Sequence, residues 1–153
     1  MIILLCGVPG AGKSTIAKLL AQRTGATLLS TETFKRKVYE RLMKELEKAE
    51  GEDFILDGTF YKRKWREAVK ELAKRKGIPI LVVWVKSSLE TSLQRDAQRE
   101  KPIGERAVRI IHAEFEQPEP DVVIDSEELT PREAVELILS AGKKVVYKNQ
   151  SSS

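Results

Sequence analysis

The residues with the clearest chemical meaning in this 153-residue chain are Gly7, Val8, Pro9, Gly10, Ala11, Gly12, Lys13 and Ser14. They fit the pattern G-x-x-x-x-G-K-[ST], in which glycines let backbone N–H groups converge on phosphate oxygens. A helix opening at Lys13 adds the positive end of its dipole. In that geometry Lys13 neutralises the β- and γ-phosphates of a nucleotide and the Ser14 hydroxyl ligates Mg2+, with Thr15 closing the nucleotide-binding set. The flanks suit the motif. Residues 1–6 are a continuous apolar run, as in a buried parallel strand, and Ile16, Leu19 and Leu20 share one helical face after it.

Four further groups of side chains could act on a bound phosphate or its acceptor. Asp57 ends an apolar run, where a carboxylate can orient Mg2+; the alternative is a turn aspartate in Asp-Gly. Glu32 follows the second run and could take the proton of an acceptor hydroxyl, or could merely complement a helix dipole. Arg95 and Arg99 are four apart, so they project from one helical face, as phosphate clamps in a closing lid or as a solvated charged stripe. Pro102-Ile103-Gly104 breaks the helix directly after them, which suits a mobile lid over residues 95–104. Lys62, Arg63, Lys64 and Arg66 form the strongest basic cluster; it could receive an anionic acceptor, with Lys35 and Arg36 lining the same crevice, or could be a solvated surface. The single histidine, His112, has no second metal ligand at a useful spacing, and no metal beyond Mg2+ is expected.

These residues need a scaffold that brings strand ends together. Short apolar runs alternate with amphipathic ones: strands near 27–29, 54–56, 78–85 and 122–124, and helices over 31–49, after 62, after 88 and over 131–141. Gly77 stops one helix. Ser87-Ser88-Leu89-Glu90 resembles a capping box, and Thr130-Pro131-Arg132-Glu133 opens the last helix with a cap and a proline at the first turn. Five strands separated by helices predict a parallel sheet with right-handed crossovers, in an α/β three-layer sandwich with helices on both faces. Residues 1–141 are read as one domain, and 142–153 as a frayed tail without function.

A chain of this length buries one core. No stretch of about twenty apolar residues spans a membrane, and no signal peptide is expected. Cys6, the only cysteine, is read as a buried core thiol. These features fit a cytoplasmic protein, monomeric or homodimeric. A net charge of +4 admits an anionic partner, which a nucleotide or a charged metabolite satisfies as well as RNA does.

With these residues in view, residues 1 to about 140 resemble the small P-loop kinases. The group includes adenylylsulfate kinase, the kinase of seryl-tRNA for selenocysteine and AAA-type predicted kinases. Asp57-Gly58-Thr59-Phe60-Tyr61, the Arg95–Arg99 pair and Glu114-Phe115-Glu116-Gln117-Pro118 look like the seryl-tRNA kinases; Val122 to Pro131 looks like adenylylsulfate kinase. That family usually has an aspartate, with an arginine three residues later, after the second strand; here Glu32 and Lys35 stand there. The tRNA kinases carry a further tRNA-gripping domain, for which this chain is too short. The resemblance implies ATP as donor and Mg2+ as cofactor. It also implies transfer of the γ-phosphate to a hydroxyl of a small anionic metabolite, adenylylsulfate first among candidates, with an RNA-linked hydroxyl as the second option. A nucleotide-dependent binding module without transfer is the reading from another class.

Overall fold

The computed structural model describes residues 1–151, excluding the side chains of Tyr147, Asn149, Gln150 and Ser151. The elements in chain order are β1 (Ile2–Cys6), α1 (Lys13–Thr24), β2 (Thr27–Ser30), α2 (Val38–Glu47), β3 (Phe54–Asp57), α3 (Arg63–Lys76), β4 (Ile80–Lys86), α4 (Leu89–Ala97), α5 (Glu105–Glu114), β5 (Val122–Asp125) and α6 (Pro131–Ser151). The sheet is wholly parallel in the order β2-β3-β1-β4-β5. The chain reverses direction across the sheet between β1 and its two neighbours β3 and β4, so a crevice opens at their carboxyl ends.

Side-chain alternation divides the core between the two faces of the sheet. Ile3, Leu5, Ile55, Leu81, Val83 and Val85 pack with Ile16 and Leu20 of α1 and Ile138 of α6. Ile2, Leu4, Cys6, Leu56 and Val82 pack with Leu42 and Leu46 of α2 and Val69 and Leu72 of α3. Both faces are covered, which is why the strands read as unbroken apolar runs. Burial pushes the Cys6 thiol up to about 11, so it is an inert core group.

Three expectations need correction. The helix over 31–49 does not form as one piece. A 3-10 turn covers Thr31–Thr33, Phe34 is extended, and α2 begins only at Val38 after Lys37 in the left-handed region. The Ser30 hydroxyl accepts the Glu32 N–H, so a local side-chain bond replaces the first helical turn. Lys35 and Arg36 therefore lie in a link between elements and not on a helix. Second, α6 does not stop at 141 but runs to Ser151, with Val145 packed on the core; Ser152 and Ser153 of the expected tail lie outside the described residues. Third, Ser88 caps α4 by accepting the Thr91 N–H, but Glu90 does not close the box. Glu127, from the loop after β5, accepts from the Ser88 N–H instead. The Thr130–Glu133 box does form, with bonds of 3.1 and 3.2 Å in the two directions. No described helix is long and apolar enough to cross a membrane.

Candidate active site

The phosphate-loop sequence turns sharply between β1 and α1. Gly10 has φ +81°, and a Cβ there would lie 2.5 Å from the Ser92 carbonyl oxygen, so glycine is required on two counts. Helix α1 starts from Gly12 with no side-chain cap and no acidic residue in its first turn. Its first N–H groups are left without helical partners and face an uncompensated positive dipole end, which is an anion site by construction.

Lys13 is buried and its Nζ donates to the Val8 carbonyl at 2.8 Å. Burial lowers its pKa from the ordinary 10.5 to about 8, against the opposing pull of the Asp57 charge. Asp57 is 5% exposed at the end of β3. Burial raises its pKa, while the nearby Lys13 charge and a hydrogen bond from Ser14 work in the other direction. The Ser14 hydroxyl donates to Asp57 Oδ2 at 3.0 Å. Strand register explains the meeting: β1 and β3 are paired with Leu5 beside Asp57, so the loop leaving β1 folds back over the carboxylate.

One side of the crevice is built from Glu32 and the turn after β3. Glu32 is exposed and its Oε1 lies 2.6 Å from Arg99 Nη2. Both charges act on Lys13 and Asp57. Lys35 and Arg36 are exposed just beyond Glu32 and make no ion pair among the described residues. Thr59-Phe60-Tyr61 forms the floor. The Gly7 N–H donates to the Thr59 carbonyl at 3.1 Å, and the Tyr39 hydroxyl pairs with Thr59 Oγ1 and accepts the Phe60 N–H. Phe60 itself is fully buried at φ +44°, an uncommon conformation for an aromatic residue that its surroundings hold in place.

The two lid arginines part company. Arg95 Nη1 donates to the carbonyls of Gly10 and Ala11, each at 3.2 Å, and to Ser126 Oγ at 2.8 Å. It ties α4 to the phosphate loop and to the loop after β5. Arg99 instead reaches the opposite wall, at Glu32. Arg95 is fixed by four bonds to the phosphate loop and Ser126, whereas Arg99 is held across the crevice by a partly exposed ion pair.

The basic cluster on α3 is largely spent on neighbours. Lys62 lies 3.7 Å from Glu114 and Arg63 lies 3.6 Å from Glu119. Arg66 is buried, donating to the Phe60 carbonyl at 2.5 Å and the Glu116 carbonyl at 2.8 Å. This burial corrects the reading of Arg66 as part of an exposed basic cluster; the signal for it is its spacing of three and seven from Val69 and Ala73 on one face. Asp96, expected with Gln94 and Gln98 on a solvated polar face, is instead buried.

Comparison with known proteins agrees with this architecture. The family described as AAA domain (AAA_33) matches residues 2–118. The crystal structure of APE1195 is 27% identical, with 95% of this chain and 96% of that one covered at a TM-score of 0.73. Mycobacterium tuberculosis APS kinase CysC, solved with AMPPNP and APS, is 16% identical, with 93% and 96% covered and a TM-score of 0.73. Chaetomium thermophilum Kti12, solved with ADP-AlF3, is 20% identical, with 92% and 98% covered and a TM-score of 0.73. The chain belongs to the AAA domain family and has a P-loop kinase-like fold.

Proposed function

We propose that this protein is an ATP-dependent kinase that transfers the γ-phosphate to a hydroxyl of a small anionic metabolite. The observation that carries the reading is the Ser14–Asp57 hydrogen bond of 3.0 Å, set beside buried Lys13 and facing the Glu32–Arg99 pair across one crevice. Backbone N–H groups of the loop and the start of α1 hold the phosphates, and Lys13 supplies the counter-charge. The donor set fits Mg2+: a hydroxyl beside a buried carboxylate, both oxygen ligands of the kind a hard cation takes. When bound, Mg2+ neutralises charge on the β- and γ-phosphate oxygens. Arg99 releases Glu32 to follow the transferring phosphoryl group, and Glu32 accepts the proton of the acceptor hydroxyl. Lys35 and Arg36, exposed cations next to Glu32 with no ion pair among the described residues, favour an acceptor that carries negative charge. Catalysis is then chiefly positioning and charge stabilisation.

The test is calorimetry with ATP-Mg2+, followed by a panel of hydroxyl acceptors, adenylylsulfate, sugars, nucleosides and RNA among them, with labelled γ-phosphate. We expect binding and one labelled small-molecule product. In Lys13→Ala the circular dichroism spectrum stays the same and transfer falls by about a thousandfold. No affinity for any nucleoside triphosphate with Mg2+ present would sink the proposal. Tight binding with no product from any acceptor would replace it with a nucleotide-dependent binding module.

A further inference from the structure

Asp96 is a buried carboxylate that the proposed reaction does not use. It lies in the last turn of α4, 2% exposed. Its Oδ1 accepts the Ile103 N–H at 3.1 Å and its Oδ2 accepts the Gly104 N–H at 3.0 Å. One carboxylate therefore closes residues 97–104 into a compact loop and places negative charge at the start of α5, which has no cap of its own. The same Oδ1 lies 3.9 Å from Arg99 Nη1, while Arg99 Nη2 meets Glu32 on the far side. The Arg99 N–H also donates to the Asp96 carbonyl at 3.1 Å. The Arg99 backbone is thus tied to the Asp96 carbonyl, and its guanidinium lies between the Asp96 carboxylate and Glu32.

We propose that Asp96 is a positioning residue: it aims the Arg99 guanidinium into the crevice, and so sets how well the lid engages a bound triphosphate. A long arginine side chain loses much rotamer freedom when it is fixed. A buried carboxylate beside one guanidinium nitrogen restricts that freedom before the nucleotide arrives, so less order has to be created on binding. Without Asp96, Arg99 keeps only its bond to Glu32, on the wall it has to leave. A cap that merely folded the loop would need the two N–H bonds and nothing from Arg99. The two roles therefore separate experimentally. This inference rests on the kinase reading of the crevice.

The test is a double-mutant cycle on ATP-Mg2+ affinity, measured by calorimetry on the full chain. Asp96→Asn keeps the size of the side chain and removes its charge; we expect it to weaken binding by about three- to tenfold, and Arg99→Ala by more. The double variant should bind no more weakly than Arg99→Ala alone, because Asp96 acts through Arg99. Ile103→Pro removes one loop hydrogen bond and leaves the carboxylate beside Arg99, so it should stay within about twofold of wild type. It also keeps the proposal testable should Asp96→Asn unfold. Additive losses in the cycle, unchanged or tighter binding by Asp96→Asn, or an Ile103→Pro loss of tenfold would each overturn the role of Asp96 while leaving the kinase reading intact. A wild type that binds no ATP-Mg2+ fails that reading itself, and this inference with it.

Discussion

Arg99 Nη2 and Glu32 Oε1 meet at 2.6 Å, joining the lid to the acceptor wall above Lys13 and Asp57. The pair is partly exposed, with side chains 35% and 64% accessible, so its own worth is small. Under the kinase reading proposed above, its consequence lies in competition: a phosphate that draws Arg99 away frees Glu32 for an acceptor hydroxyl, and nucleotide is expected to bind first.

That competition has a measurable sign. Glu32→Gln removes the internal rival for Arg99, so ATP-Mg2+ should bind about two- to fivefold more tightly while transfer falls. In an Arg99→Ala background the gain should vanish. A gain of the same size in both backgrounds would mean that Glu32 acts by simple repulsion of phosphate.

Lys13 links nucleotide binding to pH. In the empty loop burial holds its pKa at about 8, and phosphates restore the charged form. Binding therefore takes up a proton when the pH is above about 8, and affinity declines as pH rises through that value. Below it Lys13 is already charged and its contribution is level. Calorimetry at pH 8.5 in two buffers of different ionisation enthalpy should give net proton uptake. Lys13→Arg, which stays charged, should give none from this position.

The glycines of the phosphate loop differ from those at helix ends. Gly25 caps α1 at φ +75° with nothing near its missing Cβ, so Gly25→Ala should cost about 1 kcal/mol in urea denaturation. Gly10 combines φ +81° with the Ser92 carbonyl at 2.5 Å, and Gly10→Ala should cost about 3 kcal/mol. It should also weaken nucleotide binding, because α4 must shift away from the loop. Equal costs at the two positions would show that the Ser92 contact yields without strain.

What could be read from the chain was what is local. The spacing from Gly7 to Ser14 dictates a loop and the helix that follows it, because the motif and the geometry it needs lie within eight consecutive residues. Unbroken apolar strands and amphipathic helices indicated the parallel sheet in the same way, since burial on both faces leaves its mark on the inner strands β1 and β3. Asp57 was legible because strand ends of such a sheet converge. Contacts between side chains distant in the chain were decided by tertiary structure. Arg95 and Arg99 look alike at a spacing of four, yet one is held by loop carbonyls and Ser126, the other by Glu32. The cluster at 62–66 reads as a receptor for anions until Glu114, Glu116 and Glu119, some fifty residues away, arrive to meet it. Spacing states which groups share a helical face. Which of them keeps a free charge depends on partners that only the folded chain brings within reach.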